Sequence, residues 1–398
     1  MFSKVFIPYG GYYSSPFVRW QGRLQNENSI ELGAATAKRW LASKNLEATI
    51  FDYLFVAKSV GQLHSFYTAP WAAALMGAVG TTGLHVPQAC SSATTSINLA
   101  AIGLETDSFE TPFCLMTDRT SNSPHTIWPN SNGPGGHVVV ENNLMMDSFG
   151  KDPNGGVAMI QTAENVVKKA GNITKEECDA VTYRRYEQYL DALSNDREFQ
   201  KRYMFPIEYQ KSRKEVGVVE ADEGVTPRTK EGLARMNPVI EGGVMSSGSQ
   251  THPADGNCGI IVTTKDKAQE LSSDKNIQIQ VLSYGYARAE KAHMAMAVPP
   301  SAHMAIEKAG ITVKDLKSIK THNPFIANDV YMAKEMGIDV MSFNNYGSSL
   351  IYGHPQGPTG GRGIIEVIEE LVLLGGGYGL FTGCAAGDTG AALVIKVS

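Results

Sequence analysis

VPQACSSATTSINLAA, residues 86–101, is the stretch on which the fold turns. His85 to Ala89 reads as a short apolar strand, Cys90 turns the corner, and Ser91 to Leu104, rich in alanine and small residues, reads as a buried helix. A thiol at such a corner lies at the positive end of the helix dipole and beside free N–H groups. Both influences favour the thiolate, which is the nucleophilic form. A buried structural cysteine fits the same position, so partners elsewhere in the chain decide between the two.

Working outward, strand and helix alternate on both sides. Lys4 to Ile7 reads as a strand, Ser29 to Ser43 as an amphipathic helix with Ile30, Ala34, Ala37 and Leu41 on one face, and Tyr53 to Ala57 as a strand. A helix begins at Trp71, and Pro112 to Met116 is a strand. This alternation indicates an α/β architecture. From 120 to 250 the character changes. Ser121 to Gly136 is loop-like, a polar helix spans Thr162 to Ala170, and Thr174 with Glu177 fits a capping box. The division expected is an N-terminal half, 1–119, an inserted and mostly helical subdomain, 120–250, and a C-terminal half, 251–398, where the α/β pattern resumes. In that last part the expected strands are Ile260–Thr263, Ile277–Leu282, Ser318–Thr321, Gly379–Thr382 and Ala391–Val397. The expected helices are Ser301–Ala309 and Gly363–Leu374.

A weak internal echo joins the halves. Cys90 precedes a helix and then the strand PFCLMTD; His354 precedes a loop, a helix and the strand GLFTGC. That suggests a duplicated unit with a reactive group from each copy. His354, in YGHPQGPTGGRG, is flanked by glycines that let the backbone carry an imidazole close to another group, as a base for a thiol requires. Cys384, in FTGCAAGDTG, enters a turn where little bulk blocks access, and a second thiol there could move a proton to or from carbon. His322, directly after a strand, could donate to a thioester oxygen as charge develops. Each of these also fits a structural role when taken alone.

Composition bounds the reading. With 398 residues, 42% hydrophobic and 19% charged, the chain is ordinary for a globular protein. A net charge of −5 without long single-sign blocks argues against a nucleic-acid partner. The longest apolar stretches, such as Trp71 to Val79, are too short to span a membrane, and MFSKVFIPYGGYYSS lacks a signal-peptide core. Five cysteines at wide spacing, with no CxxC pair, suit reduced thiols in the cytoplasm better than a disulfide scaffold or a zinc ribbon.

Taken together and in this order, the four reactive segments resemble the thiolase superfamily. The blocks are Cys90-Ser91-Ser92-Ala93, His322-Asn323-Pro324-Phe325, Gly353-His354-Pro355-Gln356-Gly357 and Cys384-Ala385-Ala386-Gly387-Asp388-Thr389-Gly390. Further segments, MIQTAENVVKKAG, VEADEGVTPRTKEGLARMNPV and SSGSQTHPADGN, extend the similarity over nearly the whole chain. The resemblance implies a thiolase fold, a duplicated five-layer αβαβα arrangement assembled at least as a homodimer. It implies that Cys90 carries the acyl group, His354 activates it, Cys384 shuttles the α-proton and His322 lines an oxyanion hole. His354 helps to hold a thioester oxygen, and a second hole uses the N–H of Cys90 with the Gly387 loop. Coenzyme A is implied as co-substrate, with Arg213, Lys214 and Thr251 as its contacts, and no metal or redox cofactor in this chain.

Ala93, Asn323, Pro324 and Asp388 depart from the family pattern and are expected to border the acyl pocket. The opening IPYGGYYSSPFVRWQG is similar to thiolases of anaerobic aromatic breakdown. One of those cleaves benzoylsuccinyl-CoA beside a small zinc-binding OB-fold subunit, which makes a bulky or aromatic substrate and such a partner expectations here. The aromatic run Phe66 to Trp71 is a candidate lining for that pocket. Two other readings remain: a ketoacyl synthase-type condensing enzyme, which would not need Cys384, and a non-catalytic CoA-binding subunit.

Overall fold

Two mixed sheets and a layer of helices between them place the reactive residues. The computed structural model describes residues 1–133 and 135–398. Pro134, within the expected Ser121–Gly136 loop, lies outside the described residues. The first sheet runs Tyr12–Ser14, Ala254–Ile261, Pro112–Arg119, Tyr53–Ala57, Thr82–Val86, with Val18–Arg19 paired to Ala254–Ile261. The second runs Phe6–Ile7, Ile279–Arg288, Thr389–Val397, Gly377–Ala385, Leu316–His322. The helices Ser92–Glu105 and Gly357–Leu373 lie between the sheets and pack on each other. One apolar core joins Ile97 and Ala101 of the first helix, Ile364 and Ile368 of the second, and strand residues of both sheets. Ser29–Ser43 and Thr68–Met76 cover the outer face of the first sheet, and Val298–Lys308 packs on the outer face of the second. The result is five layers, αβαβα. The sequence echo is spatial as well: each middle helix follows one reactive residue and leads into a strand of its own sheet.

Local chemistry explains the elements. Ser29–Ser43 starts where the Asn28 side chain accepts from Ile30 N–H, and Ile30, Ala34, Ala37 and Leu41 are all buried. Lys175–Lys201 starts where Thr174 accepts from Glu177 N–H. The middle helix Gly357–Leu373 is buried on every side from Gly357 to Leu371, and its glycines permit this. A Cβ on Gly361 would stand 2.4 Å from Cys258 Sγ and 2.7 Å from Met116 Sδ. Much of the glycine-rich run Gly353–Gly363 is therefore helix packing rather than the active-site loop that its composition suggests. Gly361→Ala is expected to cost about 1–3 kcal/mol by overpacking, read as a lower denaturation midpoint.

Strand pairing crosses the division expected from the sequence. The strand after residue 251, Ala254–Ile261, hydrogen-bonds to Pro112–Arg119 in the first sheet, while Phe6–Ile7 pairs with Ile279–Arg288 in the second. Sheet membership thus crosses the boundaries read from the sequence, because each sheet takes a strand from the other end of the chain. Besides its helices, the 120–250 segment holds two hairpins, Thr126–Pro129 with Val138–Glu141 and Ile207–Ser212 with Glu215–Val219.

Candidate active site

Cys90 sits on a sharp corner. The strand Thr82–Val86 ends, Ala89 adopts φ 46°, and a short 3-10 turn, Ala89–Ser91, feeds the helix Ser92–Glu105. Ser92 Oγ accepts from Gln88 N–H at 2.8 Å and donates to Ala89 O at 2.8 Å, which pins the corner. From the other half, the tight turn at Gly353, with φ 97°, brings in His354. Its Nε2 lies 3.1 Å from Cys90 Sγ, and its Nδ1 lies 2.6 Å from Thr359 Oγ1, one turn into the second middle helix. Asp118 holds this helix start in place. Its carboxylate accepts from Gly357 N–H at 3.0 Å and from Ser59 and Val60 N–H.

His322 stacks beside His354, with ring centroids 4.1 Å apart. Its Nδ1 is 2.9 Å from Ser349 Oγ, and its buried Nε2 has no partner among the described residues. Cys90 Sγ and one ring nitrogen of each histidine lie within 4.8 Å of one another. Cys384 is buried, and its sulfur accepts from Asn328 Nδ2 at 3.1 Å. Cys90, His322 and His354 therefore converge on one place, and Cys384 lies near enough for Cys90 to act on its thiol.

Their electrostatics differ from the expectation. Burial pushes the Cys90 thiol up to about 12, and the N–H groups of Cys90 and Ala386, which face the sulfur, only partly oppose it. Burial, reinforced by the neighbouring His322, holds His354 well below the usual imidazole range, and burial takes His322 down to about 3. The resting pair is a neutral thiol beside a neutral imidazole, not a dipole-stabilised thiolate. Such a pair makes the nucleophile by moving one proton from Sγ to Nε2. Burial, followed by the nearby Cys90, also raises Cys384 well above the usual thiol value.

A pocket of about 250 Å³ opens onto Cys90 and His354, with apolar walls from Met146, Phe149, Met159, Met294 and Phe325. Thr251 also lines it, although its hydroxyl donates to Ser349 O. Arg213 and Lys214 are exposed at the tip of the Ile207–Val219 hairpin and outside the pockets around Cys90. The cationic side chains beside Thr251 are instead Arg19 and Arg228, in an adjoining pocket. The loop amide facing the nucleophile is that of Ala386 rather than Gly387. Of the four departures from the family pattern, only Pro324 lines the pocket. Ala93 is packed near Gly360, Asn323 braces Asp329 and Ser348, and the Asp388 carboxylate accepts from Ala292 and His293 N–H. Phe66 and Tyr67 are exposed and not in the pocket.

Thr359, Asn328, Ser349, Asp118 and Gln356 touch or brace these groups without having been singled out in the sequence. Only Gln356 and Thr359 had a signal, their place in the quoted histidine block.

Comparison with known proteins agrees with this geometry. Residues 11–266 match the family described as "Thiolase, N-terminal domain", and residues 275–397 match "Thiolase, C-terminal domain". A probable acetyl-CoA acetyltransferase of Mycobacterium leprae is 25% identical over 96% of this chain and 97% of its own. The human mitochondrial 3-ketoacyl-CoA thiolase is 24% identical over 96% of each chain. The crystal structure of the Bacillus anthracis acetyl-CoA acetyltransferase superposes with a TM-score of 0.89 at 25% identity, covering 100% of this chain and 99% of that one. Matched in both halves by the family and carrying its five-layer fold, the chain belongs to the thiolase family.

Proposed function

We propose that this acyltransferase cleaves a 3-ketoacyl-CoA with coenzyme A, through an acyl group carried on Cys90. The observation that carries the reading is the 3.1 Å approach of His354 Nε2 to Cys90 Sγ at the floor of an apolar pocket. His354 takes the thiol proton, and Cys90 attacks the 3-keto carbon. The carbon–carbon bond breaks, and the departing acyl-CoA enolate takes a proton from Cys384; coenzyme A then gives its thiol proton to Cys384 and takes the acyl group from Cys90, whose sulfur recovers its proton from His354. His322 Nε2 supplies a donor for the thioester oxygen if Ser349 gives its single proton to Nδ1. The amides of Cys90 and Ala386 face the sulfur and suit the oxyanion formed on the acyl carbon. Run backwards, the same residues perform a Claisen condensation.

Coenzyme A enters, on this reading, past Thr251, with its phosphates toward Arg19 and Arg228. Arg228 Nε is buried without a partner among the described residues, which suits an anionic ligand. The aromatic and methionine walls suit a bulky acyl group. Benzoylsuccinyl-CoA fits this chemistry, because cleavage would leave the benzoyl group on Cys90 and put the carboxylate on the departing succinyl-CoA. A homodimer is the assembly we favour. The edge strand Thr82–Val86 is open on one side, and Leu84, Val79 and Phe66 around it are exposed.

Intact-protein mass spectrometry tests the reading. Wild type and Cys90→Ser are incubated with acetoacetyl-CoA, branched 3-ketoacyl-CoAs and benzoylsuccinyl-CoA, with and without the small OB-fold subunit that the aromatic resemblance implies. Wild type should gain an acyl adduct that Cys90→Ser lacks, and its mass names the acyl group. No adduct under any of these conditions would leave a non-catalytic CoA-binding chain as the better description.

A further inference from the structure

We infer that Gln356 is a catalytic residue of this site, its Oε1 accepting the hydrogen bond of the proton that passes between Cys90 Sγ and His354 Nε2. The inference rests on the Cys90–His354 reading above and adds a third participant to it.

Gln356 occupies the variable position of the Gly353-His354-Pro355-Gln356-Gly357 block, two residues after the histidine. Its backbone is forced into φ 60°, ψ −104°, a region that side chains with a Cβ rarely occupy. Such a conformation persists where the surroundings over-determine it, and these positions gather at active sites. Here it supports a close contact, since Gln356 Oε1 lies 3.4 Å from Cys90 Sγ, with the thiol as donor. The residue is 2% exposed, so water does not replace this acceptor. Its Nε2 is buried and has no partner among the described residues.

The need for such an acceptor follows from the rest of the site. When the thiol proton reaches His354, an imidazolium forms in a buried place, beside a second imidazole whose ring centroid is 4.1 Å away. Thr359 occupies Nδ1. Among the described residues, the groups beside Nε2–H are the departing thiolate and the Gln356 carboxamide, which hydrogen-bonds to the ring. Of the influences on His354, burial, His322 and His252 all oppose the charged ring, and Gln356 alone favours it. The transfer is balanced within the site: the S–H bond breaks, the N–H bond forms, and Gln356 neither gains nor loses a proton.

The test is the pH dependence of Cys90 alkylation by iodoacetamide, followed by peptide mass spectrometry, with acylation by acetoacetyl-CoA measured in parallel. Hydrogen bonds to charged groups contribute enough that Gln356→Met should alkylate about 10- to 100-fold more slowly near neutral pH. Its profile should move to higher pH, and the rates should converge in alkali, where the thiol ionises without help from His354. Gln356→Asn keeps the carboxamide but withdraws it by one methylene, and should fall between the two. If Gln356→Met does not fold, judged by its melting temperature, Gln356→Asn carries the test. Folded variants with the wild-type rate and profile would reduce Gln356 to a packing role. Failure of wild type to be acylated by any 3-ketoacyl-CoA of the panel above would instead overturn the proposed function, a separate outcome from a profile that does or does not shift.

Discussion

Cys384→Ala is expected to slow 3-ketoacyl-CoA cleavage by about 10²- to 10⁴-fold, the range of a single general acid, while Cys90 stays open to alkylation. Breaking the carbon–carbon bond leaves an electron pair on the α-carbon of the departing acyl-CoA, and without a proton there the fragments recombine. Cys384 is suited to supply it. Its thiol is buried, is held well above the usual thiol value by burial and then by Cys90, and is therefore protonated at neutral pH. Asn328 Nδ2, 3.1 Å from the sulfur, stabilises the thiolate once the proton has left. Alanine removes the donor and leaves the Cys90–His354 pair untouched. Single-turnover cleavage and iodoacetamide labelling separate the two effects. A Cys384→Ala enzyme with the wild-type cleavage rate would remove Cys384 from the mechanism and reopen the condensing-enzyme reading, in which no second thiol is needed.

The reactive residues were legible because each lies at the end of a strand or at a glycine-flanked turn, where local sequence fixes geometry. Cys90 and His354 are 264 positions apart, yet each introduces a middle helix, and the duplicated pattern brings them together. The residues that brace them were not legible. Asn328 reaches Cys384 from inside a helix, and Asp118 reaches Gly357 across 239 positions. Neither has a local signature, because their roles come from tertiary approach. Arg213 and Lys214 have no local signature either. The resemblance alone pointed to them as coenzyme A contacts, and they stand exposed on a hairpin tip.

The balance at the Cys90 thiol rests on a physical effect that composition does not reveal. The helix N-terminus is indeed behind Cys90, but a dipole effect is worth roughly 0.3–1 kcal/mol at exposed sites, whereas desolvation shifts a buried group by several pKa units. Enclosure by both halves of the fold decides the balance, and enclosure is a property of packing. The same holds for the strands. Tyr53–Ala57 and Ser29–Ser43 were read with their observed bounds because their patterns are local and regular. Ala254–Ile261, buried along its whole length and carrying Asp255, Asn257 and two glycines, has no such pattern, and its start was missed.

Arg362→Met is expected to lower the stability of the folded chain by about 3–5 kcal/mol, the cost of leaving a buried carboxylate without its partner. The Arg362 and Asp222 side chains are both inaccessible to solvent. Two parallel bonds of 2.7 and 2.8 Å join them, Arg362 Nε donates to Glu366 Oε1 at 3.0 Å, and the guanidinium carbon lies 3.7 Å from the Tyr352 ring centroid. Glu366 keeps Lys320, 2.8 Å away, but Asp222 would retain only weaker neutral donors such as Phe17 N–H and Gln200 Nε2. A domain is stabilised by only about 5–15 kcal/mol in total, so the loss is a large fraction. Adding Asp222→Asn should recover part of it, because the neutral amide no longer demands a cation. Denaturant melts of the two single variants and the double variant measure this coupling as a cycle. The position of the pair makes the result bear on function: Asp222 comes from the 120–250 segment, and Arg362 from the helix that begins after Gln356, which contacts Cys90, and whose first turn sets Thr359 against His354. A cycle with no coupling would mean that the bidentate pair contributes packing alone; a coupled cycle would show that Asp222 anchors the helix that follows the base and braces it through Thr359.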